Sequence, residues 1–170
     1  MDSFSFFVPG EPITEGSTRA FASGQRVVVT HDRGRELDAW RIKVAKAAQE
    51  AAREAGWEPR HDGPVVVTVS FLLPRPKSVP RTRRLPHVKP DLDKLIRAVG
   101  DALAPYKQPG VLRDDSRIVE WRASKQYACV PTMVGAIITI STVDEAGAVT
   151  IYADAERIAA EELAIQEEAS

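Results

Sequence analysis

Residues 65–103 read VVVTVSFLLPRPKSVPRTRRLPHVKPDLDKLIRAVGDAL, and the fold turns on how this stretch divides. The first nine residues form an unbroken valine-rich run that ends at a proline, the pattern of a strand in the interior of a sheet. Residues 74–90 then carry five prolines and six Lys/Arg with no acid, so they can continue neither as helix nor as central strand. They read as an exposed basic loop. From 92 to 104, Leu92, Leu95, Ile96, Val99 and Leu103 fall on one stripe of a helix.

Two aspartates one residue apart, Asp91 and Asp93, open that helix. Two more, Asp114 and Asp115, precede the alternating RIVEWRASKQY at 117–127, which reads as a half-buried strand. Two carboxylates about 4 Å apart repel by roughly 4 kcal/mol at an effective dielectric near 20. The preceding Pro90 and the side-chain oxygen of Asp91 itself suit Asp91 to the N-cap. Asp93, Arg97 and Asp101 then share a face at four-residue spacing. Each pair also has an ordinary reading, since acids are common in a first helical turn and DDS is a common turn before a strand. Together, beside a basic loop, they point to a hard divalent cation. Mg2+ prefers carboxylate oxygens and retains several waters, so two or three aspartates suffice, and metal-assisted phosphodiester hydrolysis needs that donor set.

Outward from this centre, SFSFFVPG (3–10) alternates as a first strand, EPITEGSTRAFASG (11–24) reads as loop, and QRVVVT (25–30) as a second strand. Leu37, Trp40, Val44, Ala47, Ala48 and Ala51 mark a helix from 36 to 55 that stops at Gly56. TMVGAIITIST (132–142) reads as a last strand, and 152–168 as a weakly amphipathic acidic helix. The expectation is one compact α+β domain over 1–142, a mixed β-sheet packed against helices, with an acidic helical extension over 143–170. Trp40 and Trp121 read as core, and Trp57 as core or surface. His31, His61 and His87 have no ligand spacing and read as surface or loop residues.

Composition narrows the function classes. At 170 residues, 44% apolar and 28% charged, the chain is long enough for one real core, and no apolar run is long enough to span a membrane. The N-terminal residues lack a secretory pattern. Lone Cys129 excludes an internal disulfide and a cysteine-based zinc site, and reads as a small buried residue in a strand. These features suit a reducing cytoplasm. The net charge of −1 hides an asymmetry: residues 143–170 hold eight acids against one base, and the remainder is net +6. A basic body around an acidic centre suits a polyanion, although a mixed surface with a solvated tail has the same composition. No phosphate-cradling glycine loop or nucleophile–His constellation is present, which argues against an unrelated metabolic enzyme.

KPDLDKLIRAVGDAL followed by LRDDSRIVEWRASK resembles the signature of the RusA-type Holliday junction resolvases, and the opening FVPGEPITEGSTRAF is similar to that family's start. The resemblance spans roughly residues 4–142. It implies a Mg2+-dependent endonuclease, with Mn2+ able to stand in, that resolves four-way branched DNA by two symmetric nicks. It also implies a C2 homodimer and a phage or prophage origin, the protein acting in the cytoplasm of a bacterial host. By resemblance Asp91, Asp93 and Asp115 are the metal carboxylates, with Asp101 and Asp114 supporting. Arg97 stands where the family usually has a catalytic lysine. Its charge is kept but not its geometry, which favours transition-state charge stabilisation over proton donation. Lys94 stands where an asparagine is common, and Lys125 where a strand lysine is common, which makes it a further supporting residue, although it reads equally as a surface lysine. Arg75, Lys77, Arg81, Arg83, Arg84 and Lys89 are assigned to phosphate contacts, with Lys94 and Arg19 as further candidates. Arg19, beside Thr18, reads equally as structural loop. A branched-DNA binder without catalysis and a nuclease acting on flaps or forks are the alternatives.

Overall fold

The computed structural model describes residues 2–16, 18–23, 26–31, 34–105, 107 and 109–143. In chain order these form β1 (Ser3–Pro9), β2 (Thr18–Ser23), β3 (Arg26–His31), α1 (Gly34–Glu54), β4 (Val65–Leu73), α2 (Leu92–Leu103), β5 (Ile118–Tyr127) and β6 (Gly135–Thr142). Single 3-10 turns at Asp115–Arg117 and Pro131–Met133 lead into the last two strands. The expected acidic helix lies outside the described residues.

The valine-rich run is an interior strand. The main sheet has the order β1-β6-β4-β5, with β4 antiparallel to β6 and parallel to β5, and β1 antiparallel to β6. This is the mixed sheet of an α+β domain. Val65, Val67, Val69 and Phe71 of β4 are buried on the face that meets the helices, together with Ile138 and Ile140 of β6. Burying side chains of this kind is worth roughly 1.5–3 kcal/mol each. Gly56, at φ +68°, ends α1 as expected, with the Trp57 amide donating back to the Ala52 carbonyl at 2.8 Å.

Parallel neighbours cannot be joined by a tight turn, so the β4–β5 connection must cross the sheet face, and α2 is that crossover. It therefore starts near the C-terminal ends of β4 and β5 and finishes near their N-terminal ends. Contacts at both ends agree. Before α2, the Arg84 carbonyl accepts from the Tyr127 amide at 2.9 Å, at the end of β5. After α2, the Leu103 carbonyl accepts from the Leu112 amide at 3.1 Å, three residues before the turn into β5. A Cβ at Gly100 would lie 3.5 Å from Trp121 and 4.0 Å from Ile118, which puts the last turns of α2 over the start of β5.

Two expectations need correction. Residues 18–23 are not loop: they pair antiparallel with β3 in a separate two-stranded sheet, from Thr18 opposite His31 to Ser23 opposite Arg26. The small residues of TRAFAS have weak strand preference, so pairing with the next segment decided it. Cys129 is exposed, because β5 ends at Tyr127 and the chain has left the sheet before it reaches the thiol. His61 lies in the connection between α1 and β4, half-buried, its backbone bridging Leu112 and its ring 4.9 Å from that of Trp57. Trp57 itself is core, edge-on to Phe4, while Trp40 is buried and Trp121 half-buried against the core.

Candidate active site

Asp91 occupies the N-cap of α2 in extended conformation, yet among the described residues its carboxylate accepts no capping hydrogen bond. The ordinary role for this residue is thus unfilled, and the side chain stays 47% exposed with Lys94 Nζ 3.8 Å away. Asp93, in the first turn, is exposed, as is Arg97 one turn on. Asp101 departs from the face that spacing alone gave it. Each four-residue step drifts about 40° around a helix, so two steps turn Asp101 toward α1. There it accepts from Arg41, a buried arginine that also donates to Glu15. The Glu15 amide donates to the Lys94 carbonyl at 3.0 Å, which ties the segment before β2 to α2.

The basic loop ahead of α2 is folded on itself. Arg75 donates to the Pro80 and Arg83 carbonyls at 2.8 and 2.5 Å, and its guanidinium lies 4.8 Å from the centre of the Tyr127 ring. Its charge is therefore engaged within the loop. Lys77, Arg81, Arg83, Arg84 and Lys89 are exposed. Lys125 reaches from β5 to donate to the Val88 and Pro90 carbonyls, each at 2.8 Å, just before Asp91. Arg19 lies in β2, opposite Thr30.

At the other end of α2 the acids meet cations and amides. Asp62 accepts from Arg113 and from Arg117, the latter at 2.8 Å. The Arg113 hydrogen bond, seconded by Arg117, holds the Asp62 carboxyl below its ordinary pKa. Asp114 caps the 3-10 turn, accepting from the Ser116 amide at 3.0 Å. The hydroxyl and amide of Ser116 depress its pKa. Asp115 follows, exposed, within that turn.

The structure thus keeps each acid pair together and holds the two pairs apart. At 1.5 Å per residue α2 is roughly 18 Å long, with Asp91 at its start and the segment leading into the Asp115 turn bonded to its last residue. Among the described residues, no three His, Cys, Asp or Glu side chains are grouped to hold a metal ion. The oxygen donors are of the right kind for Mg2+, but the expectation that Asp91, Asp93 and Asp115 of one chain converge on one ion is not met.

Sequence reasoning passed over Arg41 and Asp62. The signal for Arg41 was present: between Leu37, Trp40 and Val44 it sits on the apolar stripe of α1, where a cation needs buried partners. Asp62 gave no signal, because its arginines lie about fifty residues away in sequence.

A family model described as "Endodeoxyribonuclease RusA" matches residues 9–140, most of the chain. Among curated proteins, the chain is similar to the "Uncharacterized protein YqaN" of Bacillus subtilis (strain 168). The two are 30% identical over 141 residues, covering 77% of this chain and 92% of that protein. Among the described residues no helix is long and apolar enough to cross a membrane.

Proposed function

Because the chain belongs to the RusA endodeoxyribonuclease family, we propose that it is a Mg2+-dependent endonuclease that resolves four-way DNA junctions by paired symmetric nicks. The observation that carries this reading is the family match across 9–140, a span that contains both acid pairs and the basic loop. Asp91 and Asp93 would hold the ion, with Asp115 completing the set and Mn2+ able to replace Mg2+. When bound, the ion supplies Lewis-acid polarisation of a phosphoryl oxygen and makes water more acidic.

The separation of the acid pairs supports a homodimer. A two-fold axis perpendicular to α2 would run a second copy antiparallel past the first, so what lies at opposite ends of α2 in one chain can meet across the interface. In this reading Asp115 of a second copy completes the Asp91–Asp93 site, and two such sites give two related cuts. Exposed Arg97 stabilises charge on the phosphate under attack. Lys77, Arg81, Arg83, Arg84 and Lys89, with Lys94 and Arg19, contact the DNA backbone, which makes binding strongly salt-dependent. The working place is a bacterial cytoplasm, with a phage or prophage as the source of the gene.

One observation favours a second reading. Arginine stands at position 97 in place of the family's usual lysine, which suits a protein that holds branched DNA without cutting it. The deciding experiment incubates the wild-type protein with a synthetic four-way junction, flaps and forks, with Mg2+ and with chelator. Symmetric nicking of the junction in Mg2+ alone supports the proposal, and binding without nicking in every condition replaces it with the second reading. Preferential cutting of flaps or forks would change the substrate. The shared site has its own test, the mixing of two inactive variants, Asp93→Asn and Asp115→Asn. A mixed dimer regains one intact site only when each site draws on both chains, so recovered single-strand nicking is expected. No recovery places all the ligands within one chain.

A further inference from the structure

We propose that Lys125 is a positioning residue that fixes the entrance of α2, and with it the Asp91–Asp93 pair, by holding two backbone carbonyls of the preceding segment. The inference rests on the active-site reading above and assigns a role inside it. Lys125 pairs with Phe71 in the parallel register, and alternation places it on the inward side of β5 with Trp121 and Ala123. Trp121 and Ala123 pack against the core. An ammonium on that side is unfavourable unless its protons are bound. Two of them are, at 2.8 Å each, by Val88 and Pro90.

The location gives these bonds their consequence. Pro90 has no amide to anchor it, and Asp91 contributes backbone but no side-chain cap to α2. The orientation of the first turn therefore depends on what holds the segment from outside. The Tyr127 amide holds it at Arg84, and Lys125 holds it at Val88 and Pro90. With two protons given to carbonyls, Lys125 acts through the backbone that presents Asp91 and not as one of the exposed phosphate contacts.

Lys125→Met keeps the length and packing of the stem while removing the donors, and Lys125→Arg restores charge and donors. In full-length Lys125→Met, amide exchange at Leu95 and Tyr127 is expected to quicken at least tenfold, with no change at Phe6 and Ile138 in β1 and β6. Junction nicking at saturating DNA should fall at least tenfold. Junction affinity and the slope of its salt dependence should stay at wild-type values, and Lys125→Arg should recover much of the rate. Unchanged exchange at Leu95 and Tyr127 overturns the proposal, as does a salt slope reduced by about one, which identifies a phosphate contact. Equally fast exchange in every strand also overturns it, because the residue is then merely structural. A wild type that nicks no junction defeats the reading of function, and the exchange measurement still decides whether Lys125 holds the entrance.

Discussion

The two ends of α2 carry similar acids in opposite company. At the N-terminal end, Asp93 is exposed and Asp91 half-exposed without a cap hydrogen bond, with Lys94 at 3.8 Å, while Arg75 turns to the Pro80 and Arg83 carbonyls and Lys125 to those of Val88 and Pro90. At the C-terminal end the acids are engaged, Asp62 by Arg113 and Arg117, Asp114 by Ser116, and Asp101 by Arg41. Asp115, beside Asp114 in the turn before β5, is exposed. The difference teaches that the number of acids near a helix end does not identify a site. A carboxylate that already has its hydrogen bonds is structural, and one whose ordinary cap is unfilled is available to a ligand.

The sharpest way to break this contrast is at the open end. Asp93→Asn should lower junction nicking by roughly a thousandfold, the several kcal/mol that a catalytic metal ion supplies, while junction affinity stays within about threefold. Single-turnover cleavage beside a gel-shift titration measures both, and retained nicking would remove Asp93 from the site. Next comes the engaged end. Arg41→Met leaves Glu15 and Asp101 without their shared cation, and because these carboxylates are 17% and 38% exposed the expected loss is about 2–3 kcal/mol. Urea denaturation reads it, and an unchanged midpoint would show the network to be dispensable.

A smaller effect separates exposed cations from engaged ones. Arg81→Met should weaken junction binding and reduce its salt slope by about one, whereas Arg75→Met should leave the slope at the wild-type value. A lower slope for Arg75→Met would return that residue to the DNA contacts. The smallest effect is expected at Asp62, whose carboxyl titrates below its ordinary 3.8 in the fold. A depressed folded pKa gives stability that is present above the unfolded pKa and lost as pH falls through the folded one. Stability of the wild type should thus exceed that of Asp62→Asn near neutrality, and the gap should close under strong acid. Denaturation midpoints across pH 2 to 7 test the sign.

Much of the fold was legible because its signals are local. The apolar run of β4, the stripe of α2, the Gly56 stop and the alternation of β5 all lie within a few residues and survive in the structure close to their expected bounds. The basic loop was legible from its prolines and charge, and the acid pairs from their repetition. Less visible were features that depend on distant partners. β2 became a strand because β3 lay ready to pair with it, and Arg75 and Lys125 looked like surface cations until backbone carbonyls folded against them.

The amino-acid order by itself determined which segments bury an apolar face, where the chain must turn, and which acids and bases have the chemistry to meet a metal and a phosphate backbone. These are properties of neighbours along the chain. Tertiary structure alone decided that the two acid pairs stand a helix length apart and which cations remain open to solvent. The reason is that a parallel strand pair forces its connecting helix to cross the sheet, carrying the residues before and after it to opposite ends.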